Sequence, residues 1–417
     1  MEVSALESAY RKKFAFYKEP LICEAPSGYL RLCVVIPSYN ENLEFTLQSL
    51  SECEVTDARE VEVIIVLNHS TNAPEDIRNY HHKQAIELPR KLSNGLVVHP
   101  VVAFDLPAKH AGVGLARKIG MDEATFRFGQ LEYDGLIVCL DGDCTVSVNY
   151  LQSLLTAEEQ HYKGLSIYYE HPLNGLDDQH VKAIVNYEIF LRFYAQGLQW
   201  AGYPFPFQTV GSSMAARATA YMRVGGMSKR KAGEDFYFLH KLFPQGLFTA
   251  WPHCTVYPSA RISKRVPFGT GKAMIASKAG EKDYGRLYHP QLFRDLRLWL
   301  LDLKEVYTLN SQSWPETVHH FLEQQYWRAD LQDLTLRSKT YEQFKRNFYF
   351  WLDGFKILRF LHSNPLLIKD VDNCIGCSEL LGTKATNPYD LLMELRKREK
   401  EARLVIFDTC VCEPSSI

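Results

Sequence analysis

The chain has 417 residues, of which 46% are hydrophobic and 23% charged, and its formal net charge is −2. This composition predicts a folded globular protein of about two or three domains. Because Lys and Arg nearly balance Asp and Glu, it does not favour nucleic acid as a partner. No run approaches the ~18 apolar residues of a membrane span, and the start, MEVSALESAYRKKFAFYKEP, lacks the apolar core of a signal peptide, so a cytoplasmic location is predicted.

Short apolar runs alternate with helical patterns between residues 31 and 169. The predicted strands are, in chain order, LRLCVVIP, VEVIIVL, GLVVHPVVAF, GLIVCL and GLSIYY. This alternation is typical of βαβ units and predicts an α/β fold, with a mostly parallel central sheet and helices on both faces. Ligands bind beyond the carboxyl ends of such strands, so the polar residues that follow each strand are the candidates for a site.

The fourth predicted strand ends in Asp141-Gly142-Asp143. Two neighbouring carboxylates repel each other, and a Mg²⁺ or Mn²⁺ ion bound through oxygen removes that cost. Because Mg²⁺ prefers one or two carboxylates together with phosphate oxygens, the turn suits a metal that arrives with a nucleoside diphosphate. The alternative is an ordinary turn, in which the glycine allows a sharp bend.

Two later segments also carry candidate residues. Glu234 and Asp235 open a predicted amphipathic helix, either as favourable charges at its positive end or with one of them as a general base. The segment SARISKRVPFGTGKA, residues 259–273, is either a solvated loop or a diphosphate-binding loop. Its cations are Arg261, Lys264, Arg265 and Lys272.

Two weaker motifs predict no site. HAGVGLARKIG does not have the spacing of a dinucleotide fingerprint and follows the third predicted strand, so NAD is not predicted. Cys374 and Cys377 have a metal-like local spacing, but no second Cys or His pair lies nearby at a matching interval. The ten cysteines are therefore predicted to be free thiols, most of them in the core.

Taken in order, VVIPSYNEN, EVIIVLNHSTN, HAGVGLARKIG, VCLDGDCTV, VGSSMAARATAYMRVGGM and GEDFYFLHKL resemble the family 2 glycosyltransferases, which have the GT-A fold. The resemblance covers residues from 31 to 275. It implies an inverting transfer of a sugar from a nucleotide-diphosphate sugar, with UDP-sugar favoured, to an acceptor hydroxyl, and Mn²⁺ or Mg²⁺ as the cofactor. The predicted domains are a flanking helix and linker (1–30), the GT-A domain (31–285) and a mainly helical C-terminal region (286–417).

The resemblance also implies roles for single residues. Asp143 and Asp141 would hold the metal, and Asp235 would be the catalytic base, with Glu234 as a neighbour that binds the acceptor. The residues implied to contact the nucleotide sugar are Pro37, Tyr39, Glu41, Asn68, Arg117, Asp141, Gly211, Ser212, Arg261, Lys264 and Arg265.

The chain departs from the family pattern at Asn68-His69-Ser70, where many members have two aspartates and the second binds the nucleobase. A neutral Asn or His can still hydrogen-bond a base edge, so the choice between uridine and guanosine stays open. The expected acceptor is a glycan, a lipid-linked sugar or a small molecule, and contact with the inner face of the membrane and a homodimer also stay open. The alternatives are a nucleotidyltransferase-like enzyme and a non-catalytic nucleotide- or carbohydrate-binding protein that kept the fold.

Overall fold

The computed structural model describes residues 2–261, 269–324, 326–364 and 369–409. Two of the implied nucleotide-sugar residues, Lys264 and Arg265, lie outside the described residues. The chain divides into two compact units. The first comprises the described residues of Met1–Asn174, Thr209–Lys272 and Ala402–Ile417, and the second those of Gly175–Gln208 and Ala273–Glu401. The domain boundaries predicted from the sequence stay a prediction.

Within the described residues, the first unit is built on a sheet of eight strands in the order β3-β2-β1-β4-β7-β6-β8-β5. Strands β3, β2, β1 and β4 are parallel, β7 runs antiparallel to β4 and β6, β8 is parallel to β6, and β5 is antiparallel to β8. The strands are β1 Leu32–Ser38, β2 Val61–Ser70, β3 Val97–Leu106, β4 Leu136–Cys139, β5 Thr145–Val146, β6 Gly164–Tyr169, β7 Met214–Arg217 and β8 Phe248–Tyr257. The predicted mostly parallel α/β fold of GT-A type is confirmed.

Helices connect these strands and make up most of the second unit. They are α1 Val3–Lys13, α2 Glu44–Ser51, α3 Glu75–Glu87, α4 Val113–Gln130, α5 Tyr150–Glu159, α6 Asp178–Trp200, α7 Ala218–Arg223, α8 Glu234–Leu242, α9 Thr270–Lys278, α10 Pro290–Leu301, α11 Leu303–Tyr307, α12 Glu316–Gln324, α13 Trp327–Arg337, α14 Tyr341–Trp351, α15 Gly354–His362, α16 Asn373–Leu381 and α17 Pro388–Thr409. Short 3₁₀ turns cover Ala58–Glu60, Phe243–Gln245 and Ser311–Ser313. No helix of the described chain is both long and apolar enough to cross a membrane.

The N-terminal segment is attached to α4, the most deeply buried helix of the first unit. The Tyr10 hydroxyl donates to Asp122 Oδ1 at 2.7 Å, and the Tyr221 hydroxyl donates to the same atom at 2.8 Å. The backbone N–H groups of Leu21 and Ile22 donate to the Glu123 carboxylate at 3.0 and 3.2 Å. Residues predicted to be a flanking helix and linker therefore fix the helix that carries Arg117 as its fifth residue.

The second unit contains an aromatic core and a short two-stranded sheet of β9 Arg286–Leu287 and β10 Val371–Asp372. The buried Trp299 ring packs against the rings of Trp314, Phe321, Phe348 and Trp351. The ring centroids lie 5.5–6.5 Å apart, within the range in which tilted and edge-to-face aromatic pairs stabilise a core. The helical and aromatic pattern after residue 286 thus forms packed structure, as its helical spacing predicts.

Candidate active site

The candidate residues of the first unit gather where β1, β2 and β4 end. These three strands are parallel neighbours, so their carboxyl ends meet at one edge of the sheet. The turn at residues 39–41 follows β1, Asn68 lies near the end of β2, and Asp141 follows β4 after one residue. Helices α4 and α8 begin beside this edge, because Arg117 in α4 contacts both Asp141 and Glu234.

Arg117 is the centre of the site. Its side chain is buried, its Nη2 donates to Asp141 Oδ1 at 2.6 Å, and its Nη1 donates to Glu234 Oε1. Burial disfavours the charged guanidinium and by itself would lower the pKa of Arg117. The nearby negative charges, chiefly those of Asp141 and Glu234, outweigh this effect and raise the pKa. Three residues that the sequence assigns to one site are therefore joined by direct ion pairs.

Gly211 leaves the space that the Arg117 guanidinium occupies. A Cβ atom at position 211 would lie 2.7 Å from Arg117 Nη1, closer than real Cβ contacts allow. Ser212, the next residue, is buried and precedes strand β7 in the sequence. Both residues lie at the site, and their implied contact with the donor sugar stays a prediction.

The Asp141-Gly142-Asp143 turn is closed by a hydrogen bond from the Cys144 N–H to the Asp141 carbonyl, at 3.1 Å. Gly142 does not have a left-handed backbone. A Cβ atom there would lie 2.7 Å from Leu43 Cδ2, and the Thr46 hydroxyl donates to the Gly142 carbonyl at 2.9 Å. The predicted turn is therefore present, and the glycine leaves room for close packing against α2 and the loop before it.

Asp143 belongs to a second ion-pair cluster. Arg261 Nη2 lies 2.8 Å from Asp143 Oδ2 and also contacts Glu41 Oε1. Burial opposes the charged form of Arg261, but the hydrogen bond to Glu41 and the charge of Asp143 raise its pKa. The structure thus brings the first described cation of the basic segment to the turn after β1 and to the turn after β4.

Glu234 and Asp235 open α8, as predicted, after Gly233 with a φ of 69°. Burial and the adjacent Asp235 charge raise the pKa of Glu234 to about 7, although Arg117 opposes the shift. Burial also raises the pKa of Asp235, whose Oδ1 accepts the Phe236 N–H at 2.8 Å. Glu234 is buried against Arg117, whereas Asp235 is partly exposed, so Asp235 is the more accessible of the two carboxylates.

The residues implied to contact the nucleotide at the ends of β1 and β2 differ in burial and in their partners. Pro37 is buried within β1, and Tyr39 lies edge-on to the His81 ring, with 5.7 Å between centroids. Asn68 is buried, and its Nδ2 donates to the Ser38 carbonyl at 2.8 Å. Ser38 pairs with Leu67 in the sheet, so Asn68 supports the end of β1 from the neighbouring strand.

Three residues of α3 that hold the turn after β1 were not predicted from the sequence. They are Tyr80, His81 and Gln84, which contact the backbone of residues 40 and 41. The only signal is their spacing, since positions separated by three or four residues share one face of a helix. A helix without a recognisable motif gives no reason to select that face.

Asp141 and Asp143 fit a Mg²⁺ or Mn²⁺ ion chemically, because both offer carboxylate oxygens and keep exposed fractions of 36% and 26%. In the described part of the chain, no group of three or more His, Cys, Asp or Glu side chains is arranged to hold a metal. An ion at this turn would therefore take other ligands from water and from substrate phosphate.

Comparison with known proteins gives one family and several solved structures. Residues 33–220 match the family model described as glycosyl transferase family 2. The crystal structure of S. aureus TarS 1-349 is 12% identical, with a TM-score of 0.38, and the alignment covers 85% of this chain and 92% of that one. The same protein in complex with UDP-GlcNAc is 13% identical, with a TM-score of 0.39, over 85% and 93% of the two chains.

A search of curated protein sequences finds no match to the chain. The family model spans β1 to α7 and includes the Asp141-Gly142-Asp143 turn and Gly211. The predicted family and enzyme class, a glycosyltransferase, are thereby confirmed: residues 33–220 are a glycosyl transferase family 2 domain.

Proposed function

We propose that this protein moves a sugar from a nucleoside diphosphate sugar to an acceptor hydroxyl by inverting displacement, with a UDP-sugar as the favoured donor. The observation that carries the proposal is the buried Arg117, which joins the Asp141 turn to Glu234 at the start of α8. The contact supports the proposal that Asp235, which follows Glu234 at the start of α8, is the base and acts next to the carboxylates that suit a diphosphate-bound metal. Mn²⁺ or Mg²⁺ is the proposed cofactor, held by Asp143 and Asp141.

Asp235 removes the acceptor proton in this proposal. The acceptor oxygen attacks the anomeric carbon from the face opposite the leaving group, and the bond between that carbon and the phosphate oxygen breaks. The nucleoside diphosphate leaves with the bonding electrons, and the proton stays on Asp235. General-base assistance of this kind contributes about 10²–10⁴ in rate.

The charge on the leaving diphosphate is the second requirement. Arg261 lies at the Asp143 turn, where its forked guanidinium can bind phosphate oxygens in two directions. A divalent ion bound at Asp141 and Asp143 would neutralise further negative charge on the diphosphate. Lys264 and Arg265 are proposed to add to this charge from the same segment of the chain.

The identity of the nucleotide product tests the proposal. The protein with Mn²⁺ is first screened by thermal shift against UDP, GDP and ADP, since a ligand at 100 times its Kd stabilises by about 2.7 kcal/mol. The sugar derivatives of the best nucleotide are then incubated with candidate acceptors, namely glycans, lipid-linked sugars and small alcohols. Release of nucleoside diphosphate supports glycosyl transfer. Release of pyrophosphate when the protein is instead given a nucleoside triphosphate and a sugar 1-phosphate would identify a nucleotidyltransferase, and binding without product a non-catalytic protein.

A further inference from the structure

One face of α3 holds the backbone turn that follows β1. His81 Nε2 accepts the Asn40 N–H at 2.9 Å, while the Tyr80 hydroxyl and Gln84 Nε2 donate to the Glu41 carbonyl at 2.7 and 2.9 Å. Asn40 has a φ of 51°, in the left-handed region, which Asn adopts more readily than most residues other than glycine. Three side chains of one helix therefore hold the backbone of the turn that the family resemblance assigns to the nucleotide sugar.

The hydrogen bond from Asn40 determines the tautomer of His81. Because Nε2 accepts a hydrogen bond from the backbone N–H, it carries no proton itself, and the neutral ring must bear its proton on Nδ1. That atom lies 3.1 Å from Nδ1 of His69, and two ring nitrogens at this distance share one proton. His69 Nδ1 is thus the acceptor, and His69 orients the His81 ring.

His69 has little freedom to act in any other way. It is buried at the end of β2, its ring stacks on Phe104 at 4.3 Å between centroids, and its Nε2 faces Asp105 Oδ1 at 3.9 Å. It also occupies the segment where the family resemblance implies an acid that binds the nucleobase. The imidazole at this position faces inward, to His81.

Burial favours the neutral form of both rings. Burial lowers the pKa of His69, and burial with the neighbouring His69 and His82 lowers the pKa of His81 to about 4. The other charged groups that face the pair are Arg78 from α3 and Asp105 from β3. A neutral His81 can accept the Asn40 N–H throughout the pH range in which most enzymes are assayed.

We propose that His81, oriented by His69, is a positioning residue of the nucleotide-sugar site, which holds Asn40 and thereby keeps Tyr39 and Glu41 in place for the nucleotide. This inference rests on the proposed function for its link to the nucleotide, but not for the hydrogen-bond chain itself. His81 and His69 do not contact the substrate in the proposal. They act on the site by holding the backbone of Asn40.

The test compares His81→Leu with His81→Gln, using UDP and Mn²⁺ as the probe. Leu removes the acceptor, whereas the Gln Oε1 can take the place of Nε2 and accept the Asn40 N–H. His82→Gln is the matched control, because His82 is the exposed neighbour on the same helix. We expect His81→Leu to weaken UDP binding about tenfold and to raise KM for the donor more than it lowers kcat, while His81→Gln and His82→Gln stay within about threefold of wild type.

Two measurements do not depend on activity. Hydrogen exchange of the Asn40 amide should be faster in His81→Leu and near wild type in His81→Gln. In wild-type protein labelled with ¹⁵N-histidine, His81 should show the tautomer with the proton on Nδ1, which requires no variant to fold.

The outcomes separate the two proposals. If wild type binds no nucleotide, the proposed function fails, and exchange and tautomer alone decide on His81. A His81 ring protonated on Nε2 would overturn the inference, because that atom could not accept the Asn40 N–H. Equal UDP affinity in His81→Leu and wild type, with equal exchange at Asn40, would also overturn it. So would a His81→Gln variant that binds UDP no better than His81→Leu.

Discussion

Two buried arginines, one in each unit, have similar partners but different access to solvent. In the first unit Arg117 pairs with Glu234 and with Asp141, and the Asp141 side chain is 36% exposed. In the second unit Arg192 is completely buried, pairs with the equally buried Glu188 and contacts Glu399. The first cluster therefore reaches the surface of its unit, whereas the second is closed.

Under the proposed function, this difference separates charges that act in catalysis from charges that stabilise the fold. Burying a charge costs several kcal/mol per ion, and the pairing of the charges offsets that cost only when the geometry is good. In the closed cluster, Arg396 adds two hydrogen bonds to Glu188, at 2.8 and 2.9 Å, so that α6 and α17 are linked. In the open cluster, part of the carboxylate surface is left toward solvent, where a metal or substrate can bind.

The largest effect on activity is expected for Asp235→Asn. The amide cannot accept the acceptor proton, so turnover should fall by about 10²–10⁴, while Mn²⁺-dependent binding of UDP stays near wild type. Turnover is followed by release of nucleoside diphosphate and binding by calorimetry. Asp390→Asn, an equivalent change in the exposed first turn of α17, is the control and should retain full turnover. Normal turnover of Asp235→Asn would show that the base is assigned wrongly.

The largest effect on stability is expected for Arg192→Met. Loss of the guanidinium removes the buried pairs of Arg192 with Glu188 and Glu399 and leaves Arg396 as the cation that the structure shows at Glu188, and breaking a buried pair in this way costs about 3–5 kcal/mol. Arg337→Met is the control, because the Arg337–Asp333 pair is exposed and should contribute less than about 1 kcal/mol. Urea unfolding measures both changes. Equal losses in the two variants would contradict a structural role for the closed cluster.

A smaller effect is expected for Asp143→Asn. The substitution removes a proposed metal ligand and the carboxylate that Arg261 contacts at 2.8 Å. Binding of UDP with Mn²⁺ should weaken about tenfold, or about 1.4 kcal/mol, and the difference from wild type should disappear when the metal is chelated. Calorimetry with and without Mn²⁺ measures this. An unchanged dependence on Mn²⁺ would remove Asp143 from the metal site.

The smallest effect is expected in the pH dependence of the wild type. Burial raises the pKa of Asp235, so its proton is retained to higher pH and the base is lost as the pH falls. The rate should therefore rise with pH through a pKa above the ~3.9 of an ordinary aspartate, whereas UDP binding should not follow that titration. A profile of kcat/KM against pH measures the position of this limb. A rate that stays constant down to pH ~4 would contradict the shift.

The sequence predicted the parts of the fold that local patterns encode. Apolar runs identified β1 to β4 and β6. It did not predict β5, which has two residues, or β7 and β8. The burial of β8 is irregular, and Pro252 interrupts its apolar pattern, so periodicity gives no clear signal there.

The composition of the site was predicted better than its contacts. Arg117 and Glu234 were both candidates, but the ion pair between them joins positions far apart in the chain, and only the folded topology brings them together. Asn68 was expected to contact the nucleotide, and that contact stays a prediction; the hydrogen bond from its Nδ2 to the Ser38 carbonyl was not predicted. His81 was missed because its role depends on the backbone of Asn40 and the ring of His69, neither of which a local pattern reports.

The same substitution in both arginine clusters tests the comparison most directly. Lys keeps the positive charge but loses the fork that binds two carboxylates at once. We expect Arg117→Lys to lose most of the sugar-transfer rate with a melting temperature close to wild type. Arg192→Lys should lower the melting temperature but retain the wild-type rate at temperatures where it is folded. Normal transfer by Arg117→Lys, or lost transfer by a folded Arg192→Lys, would contradict the assignment of the open cluster to catalysis.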